Sequence, residues 1–97
     1  MATRINPLHG YFRPDHLDHV VAEMLRRGPP VLRACWDPVG GLWHAREGTH
    51  RLRAAHLLGL APILVPVPWK CSASGRERAR HAAARHAHTF ERVVVGV

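Results

Sequence analysis

A glycine, two polar residues and an arginine stand at the start of a predicted helix, in the segment Gly48-Thr49-His50-Arg51. The first turn of a helix has backbone N–H groups without intrahelical partners and carries the positive end of the helix dipole. A junction of this composition is therefore suited to bind a phosphate group. Arg51 strengthens the argument, because a cation in the first turn opposes the dipole unless an anion is bound there. The segment predicts a phosphate site made by Gly48, Thr49, His50 and Arg51.

The residue types in and beside this segment leave several roles open. His50 is suited to donate a hydrogen bond to phosphate or to act as a general base, since imidazole titrates near neutral pH. Glu47, the nearest carboxylate, is a candidate to hold magnesium or to activate water, with a plain ion pair as the alternative. Thr49 is a candidate N-cap as well as a phosphate ligand. For Arg51, an ion pair with Glu47 competes with phosphate binding. The candidate catalytic residues are therefore His50 and Glu47.

Strong positive charge indicates a polyanionic partner. The formal net charge is +7, and thirteen of the fourteen basic residues are arginines. The planar guanidinium suits phosphate, which favours a nucleotide or a nucleic acid, although a genome rich in G and C also enriches arginine. Arg78 and Arg85 are predicted to face outward on the last helix. They form either a solvated basic face or contacts to a DNA backbone.

Nine histidines raise the question of a metal site. His81, His86 and His88 lie in the same C-terminal region as Cys71. Zinc sites on helices usually need ligands four residues apart or on a second element, and His81 and His88 are seven apart. We therefore predict no metal site.

The chain has 97 residues, which is the size of one small domain with a modest core. Its longest apolar stretch, Leu57 to Trp69, is interrupted by Gly59 and by three prolines, so it does not predict a membrane-spanning helix. The segment Met1 to Gly10 lacks the apolar region of a secretory signal, and we expect a cytoplasmic protein. Cys35 and Cys71 show no CxxC spacing and are expected to be reduced thiols.

Apolar periodicity and glycine or proline punctuation predict a small α+β domain, a short mixed sheet flanked by about three helices, over residues 1–97. Residues 1–14 are expected to be irregular, with Tyr11 and Phe12 anchored on the core. Arg92 to Val97 is expected to be an edge strand or a tail that pairs with another chain. Ser74 is the expected cap of the last helix, in a basic C-terminal segment, residues 76–90. The predicted helices are Asp15–Arg27, Thr49–Leu58 and Arg76–Thr89, and the predicted inner strands are Val31–Trp36, Leu42–Arg46 and Ile63–Val67.

The segment Gly48-Thr49-His50-Arg51-Leu52, followed by Ala54-Ala55 and Leu58-Gly59, resembles the superfamily of ParB N-terminal domains and sulfiredoxins. Gly28-Pro29-Pro30-Val31 is similar to the glycine-proline start of that superfamily's first core strand. Pro62-Ile63-Leu64-Val65 extends the resemblance forward. About residues 15–68 are covered, and we expect the core of the domain to lie there.

The two branches of this superfamily imply different chemistry. In the ParB branch the segment reads Gly-Glu-Arg-Arg and binds the phosphates of CTP, so Gly48 and Arg51 are the matching residues. The sulfiredoxin branch has Gly-Cys-His-Arg, and its reactive cysteine position is occupied here by Thr49, which does not support sulfiredoxin chemistry. Arg13 resembles, in position, an arginine beside the ParB nucleotide. The resemblance thus implies a phosphate site that includes Arg13.

The sequence therefore predicts binding of a nucleoside triphosphate, CTP or ATP, with Mg²⁺, and leaves open whether weak phosphohydrolase or nuclease activity accompanies it. A nucleotide-dependent homodimer is a further expectation. The alternative is a non-enzymatic accessory or regulatory module that binds DNA or a protein through its basic surface.

Overall fold

The computed structural model describes residues 2–69 and 71–96, which form three helices and six strands. The strands build one mixed sheet in the order β5-β1-β3-β2-β4-β6. The predicted α+β class is confirmed. None of the helices in these ranges has the length and apolar character needed to cross a membrane. The elements are β1 (Thr3–Asn6), α1 (Pro14–Arg27), β2 (Val31–Asp37), β3 (Leu42–Ala45), α2 (Thr49–Leu58), β4 (Ile63–Pro66), α3 (Ala73–His86), β5 (His88–Phe90) and β6 (Val94–Val95).

The centre of the sheet follows the sequence prediction closely. β2 and β3 form an antiparallel hairpin around the turn that contains Gly40 and Gly41. The chain then crosses through α2, and β4 returns parallel to β2. Parallel neighbours need such a crossover, which explains why a helix separates β3 from β4. β1 pairs parallel with β3, β5 antiparallel with β1, and β6 parallel with β4.

The two faces of the sheet are covered by different helices. Successive strand residues point to opposite faces, so Ile5 and Asn6 of β1 mark the two sides. Ile5 belongs to the core formed with α1 and α2, whereas the side chain of Asn6 donates to the carbonyl of Ala79 in α3 at 3.2 Å. The core is wider than the predicted 15–68, since Ile5 and Phe90 are also part of it. Its remaining buried residues are Leu17, Met24, Leu32, Ala34, Ala45, Leu52, Ala54, Ala55 and Leu64.

The prediction that residues 1–14 are irregular is wrong at Thr3–Asn6, which forms strand β1. This segment has a single strongly apolar residue, Ile5, so its pattern does not reveal a strand. Of the two residues expected to pack on the core, Phe12 does so and Tyr11 does not. Phe12 packs against the core, with the Arg53 guanidinium 3.8 Å from its ring centre. Tyr11 is 69% exposed and anchors nothing.

The predicted bounds of the last helix are also wrong. α3 begins at Ala73 because Ser72, not Ser74, is its cap: the Ser72 hydroxyl accepts a hydrogen bond from the Gly75 N–H at 3.2 Å. The helix ends at His86, since the next residues form β5 against β1. The expected edge strand is confirmed at Val94–Val95. Val97, at its predicted end, lies outside the described residues.

Candidate functional site

The helix start that sequence predicts for phosphate is formed by a glycine in the left-handed conformation. Gly48 is the N-cap of α2, with φ of +71°. A Cβ at this position would lie 2.5 Å from Cδ2 of the fully buried Leu32, so the backbone approaches the core more closely than a side chain allows. Glycine is needed here for both reasons.

The first turn of α2 has no internal cap. Gly48 has no side chain to accept a hydrogen bond, and the turn carries no acidic residue. Among the described residues, no acceptor is found for the backbone N–H groups of Thr49, His50 and Arg51. Thr49 is not the N-cap that sequence suggests. It is 7% exposed, and its hydroxyl oxygen is buried without a hydrogen-bond partner in the described part of the chain.

A cavity of about 350 Å³ lies at this helix start. That volume falls within the range typical of small-ligand sites. The ionisable side chains that line it within 2–69 and 71–96 are three histidines and one arginine, and no carboxylate is among them. The structure therefore brings the predicted residues together with two histidines that sequence did not single out. The lining residues are Leu8, His9, His16, Val20, Gly48, Thr49, His50 and Arg51.

One ring nitrogen of His50 accepts a hydrogen bond from the backbone. The N–H of Arg13 donates to Nε2 of His50 at 2.9 Å. Since an N–H donor requires an acceptor, Nε2 is unprotonated and neutral His50 carries its proton on Nδ1. The ring of His16 meets the His50 ring edge-on, with 4.5 Å between centroids. Burial lowers the pKa of His50, and the positive charges of His16, His9 and Arg13 lower it further.

Arg13, predicted to be part of the phosphate site, contacts that site through its backbone N–H. It is the N-cap of α1, and its backbone N–H holds His50. Its side chain is not among the groups that line the cavity.

Arg51 and Glu47 are held by neighbouring groups. Nη1 of Arg51 donates to the carbonyl of Val31 at 3.3 Å, and its Nη2 lies 3.9 Å from Oε1 of Glu47. The second carboxylate oxygen of Glu47 accepts a hydrogen bond from Arg33 at 3.0 Å. That hydrogen bond lowers the pKa of Glu47. The geometry gives Glu47 an ion pair with Arg33 and a looser one with Arg51, and it leaves Arg51 partly exposed beside the cavity.

A second cavity of about 370 Å³ shares Val20 and Arg51 with the first. It lies between the C-terminal end of α1 and the Gly28-Pro29-Pro30 turn, and several of its walls are apolar. Its other lining residues are Glu23, Met24, Arg27, Gly28, Pro29 and Pro30.

On the opposite face of the sheet, Asp37 forms a buried ion pair that sequence did not predict. Its fully buried carboxylate accepts hydrogen bonds from Nε and Nη2 of Arg80, at 2.8 and 3.0 Å, and from Nε2 of His44 at 3.1 Å. Burial acts to raise the pKa of Asp37, but Arg80, the Gly40 N–H and His44 hold it well below its usual range. Asp37 precedes a Pro-Val-Gly-Gly turn, and its sequence context indicates only a turn residue.

His44 completes this network as a neutral ring. It donates from Nε2 to Asp37 and accepts at Nδ1 from the Asn6 amide at 3.0 Å. Burial lowers the pKa of His44, although Asp37 opposes that effect. Both ring nitrogens are engaged, so His44 has no free nitrogen for proton transfer. Arg80 and the carbonyl of Ala79 link this network to α3.

The basic residues of α3 are placed partly as predicted. Arg78 and Arg85 are exposed, and neither forms an ion pair with another residue in the described ranges. His88, which the sequence places in the last helix, lies instead in β5 beside His56, with 4.9 Å between ring centroids. Burial lowers the pKa of His88 to about 4. Within residues 2–69 and 71–96, no three histidine, cysteine, aspartate or glutamate side chains are grouped to hold a metal ion.

The fold is of the α+β class, and a cavity lined by three histidines and one arginine lies at the start of α2. In comparisons of the chain, no family model matches it, and no curated protein or solved structure does so either.

Proposed function

We propose that this protein binds the phosphates of a nucleoside triphosphate, CTP or ATP with Mg²⁺, at the N-terminus of α2. One observation carries the proposal. Thr49, His50 and Arg51, whose backbone N–H groups have no acceptor in the described chain, line a cavity whose other ionisable lining residues are His9 and His16, and no carboxylate of the described chain lines it. Uncapped helix starts of this kind are suited to oxyanions.

The nucleoside part of the ligand is supported by the neighbouring cavity. Val20 and Arg51 line both cavities, so a nucleoside in the second cavity would lie next to a phosphate bound at Gly48–Arg51. Apolar walls with a few polar groups are typical of sites for flat rings. The resemblance to the ParB branch, which rests on the Gly48-Thr49-His50-Arg51 segment, supports the same ligand class.

The arrangement favours binding over turnover. The acceptor nitrogen of His50 is taken by the Arg13 N–H, and Glu47 is paired with Arg33. A general base needs a free lone pair within reach of the attacking water. We therefore assign His50 the role of hydrogen-bond donor through Nδ1, and weak phosphohydrolase or nuclease activity remains a secondary part of the proposal.

Substituting Arg51 tests this function. We expect the purified protein to bind at least one of CTP, ATP and GTP with Mg²⁺, and Arg51→Ala to weaken that binding at least tenfold. A hydrogen bond from a charged group contributes about 1.5–3 kcal/mol, which exceeds the 1.4 kcal/mol of a tenfold change. Calorimetric titration measures both, and size-exclusion chromatography with the nucleotide checks for the expected homodimer. Failure of all three nucleotides to bind would contradict the proposal.

The second candidate function is binding of DNA through α3, which the exposure of Arg78 and Arg85 favours. The double variant Arg78→Gln, Arg85→Gln is the matched control for Arg51→Ala, because it also removes positive charge. It is expected to leave nucleotide binding unchanged. If it instead abolishes binding to duplex DNA that Arg51→Ala leaves intact, and no nucleotide binds, the second function replaces the first.

A further inference from the structure

The imidazole of His50 lies between the starts of two helices. Its backbone is in the first turn of α2, and its Nε2 accepts a hydrogen bond at 2.9 Å from the backbone N–H of Arg13, the N-cap of α1. The ring also lines the cavity at the start of α2. One side chain thus connects the proposed phosphate site with the start of the neighbouring helix.

The fold holds the Arg13 N–H in place from both sides. Phe12, which precedes it, packs against the core. Pro14 follows, and a residue before proline is confined to extended backbone, where the φ of −105° and ψ of 118° of Arg13 lie. The Arg13 carbonyl accepts a hydrogen bond from the Leu17 N–H at 2.8 Å. The donor that meets His50 is therefore positioned by the backbone and not by the Arg13 side chain.

The other ring nitrogen of His50 is a donor without an acceptor. Because Nε2 is an acceptor, the neutral ring carries its proton on Nδ1, and no partner for this N–H is found among residues 2–69 and 71–96. Burial lowers the pKa of His50, which also favours the neutral ring. The ring of His16 meets it edge-on, with 4.5 Å between centroids, and restricts its rotation. His50 therefore offers one N–H, on Nδ1, to a ligand in the cavity.

A hydrogen bond at one nitrogen of an imidazole changes the other nitrogen. When the N–H of a neutral ring donates to an anion, the second nitrogen becomes a stronger acceptor. Histidines that bind metal ions show this effect, since a carboxylate on the far N–H raises the basicity of the nitrogen that binds the metal. In this chain, a phosphate that accepts from Nδ1 would strengthen the hydrogen bond from the Arg13 N–H to Nε2.

We infer that His50 transmits phosphate binding from the start of α2 to the start of α1: a phosphate oxygen that accepts from Nδ1 tightens the hydrogen bond between Nε2 and the Arg13 N–H. This inference rests on the proposed function and makes Arg13 a positioning residue that acts through its backbone. The segment before Arg13 contains Leu8 and His9, which line the cavity. The tightened bond thus fixes the end of a segment that forms one wall of the site.

NMR of the nitrogen-labelled chain tests this inference, with inorganic phosphate as the first probe and CTP or ATP with Mg²⁺ as the second. The free protein is expected to show His50 protonated on Nδ1, and a scalar coupling across the hydrogen bond between the Arg13 amide nitrogen and Nε2. At saturation with phosphate, this coupling should increase. The Arg13 amide should then exchange with solvent about threefold more slowly, relative to the Leu17 amide of the same helix start.

Two substitutions of His50 separate the roles of its ring nitrogens. His50→Gln places an amide near the position of Nε2 and has no donor at that of Nδ1, so its Arg13 amide should not respond to phosphate. His50→Asn has a donor near the position of Nδ1 and is too short to reach Arg13, so the response should be absent there as well. Arg13→Ala keeps the backbone N–H and is the matched control, in which the response of residue 13 should persist.

The outcomes separate this inference from the proposed function. Phosphate that shifts the amide signals of residues 49–51 and leaves the Arg13 amide unchanged would overturn the inference, with nucleotide binding left in place. The same holds if the free protein carries the His50 proton on Nε2, or if either His50 variant responds as the wild type does. A response lost in Arg13→Ala would assign it to the side chain and also overturn the inference. If neither phosphate nor any nucleotide shifts the signals of residues 49–51, both proposals fail.

Discussion

Replacing Asp37 with alanine is expected to lower the free energy of unfolding by about 3 kcal/mol or more. The fully buried carboxylate accepts two hydrogen bonds from Arg80, one from His44 and one each from the Val39 and Gly40 N–H groups. Removing one partner of a buried ion pair is strongly destabilising, because the groups that remain lose their compensation. The free energy of unfolding of small domains is about 5–15 kcal/mol, so the variant should unfold at a much lower urea concentration than the wild type. Urea unfolding followed by tryptophan fluorescence measures the change.

Two comparisons identify the ion pair as the cause. Asp18→Ala removes an exposed aspartate from α1 and is expected to change stability by less than about 0.5 kcal/mol. The second comparison is the pH dependence. The pKa of Asp37 is lower in the folded than in the unfolded state, so its stabilising contribution is complete above about pH 4 and is lost as the pH falls through the folded pKa. Below pH 4 the stabilities of wild type and Asp37→Ala should therefore converge. Parallel curves would contradict this explanation.

The partly buried His88 affects stability in a different pH range. Burial lowers the pKa of His88 to about 4, so the unfolded chain binds a proton between about pH 6.5 and 4 that the folded chain does not. The contribution of His88 should lower stability as the pH falls over this range in both the wild type and Asp37→Ala, whereas that of His44 differs between them because Asp37 raises the pKa of His44. The convergence caused by Asp37 can thus be distinguished from the effect of His88.

Local signals were sufficient for the middle of the chain. α2 has the predicted bounds, Thr49–Leu58, because Gly48 and Gly59 mark both ends and apolar residues recur at helical spacing. The ends of the chain depend on tertiary contacts. Thr3–Asn6 becomes a strand because β3 and β5 offer it partners on both edges, and neither is visible in its own composition. The alanine-rich segment before His86 favours helix and extends the prediction to Thr89, yet pairing with β1 turns the chain into β5 after His86.

The residues of the candidate site also divide into those that local sequence predicts and those that only tertiary contacts bring together. The helix start at Gly48–Arg51 could be predicted, because its four residues are consecutive and their chemistry is local. His9 and His16 could not, since they enter the cavity from a loop and a helix more than thirty positions away in sequence. The Asp37–Arg80 pair was missed for the same reason, because Arg80 lies on α3, forty-three positions after Asp37. Its only sequence signal is an aspartate at a strand end, which also fits an ordinary turn.

The second large effect is expected from Gly48→Ala, which should lower both stability and phosphate binding. An alanine at φ of +71° costs about 1–2 kcal/mol, because Cβ then crowds the backbone. The added methyl group would also lie 2.5 Å from Cδ2 of Leu32, and overpacking in a core typically costs about 1–3 kcal/mol. It would stand 3.2 Å from Nε and Nη2 of Arg51, so the guanidinium that we assign to phosphate must move. We expect a loss of about 2–4 kcal/mol, with nucleotide affinity reduced at least tenfold.

Gly59→Ala is the matched control for this substitution. Gly59 ends the same helix with φ of +67°, and an added Cβ would meet no atom within 4 Å. Its variant should therefore lose only about 1–2 kcal/mol, and should bind nucleotide as the wild type does. The difference between the two variants, in urea unfolding and in calorimetric titration, measures the collision with Leu32 and Arg51 separately from backbone strain. Equal losses in both variants would mean that Leu32 yields to the methyl group. The close approach of backbone and core would then not be what fixes the geometry of the proposed phosphate site.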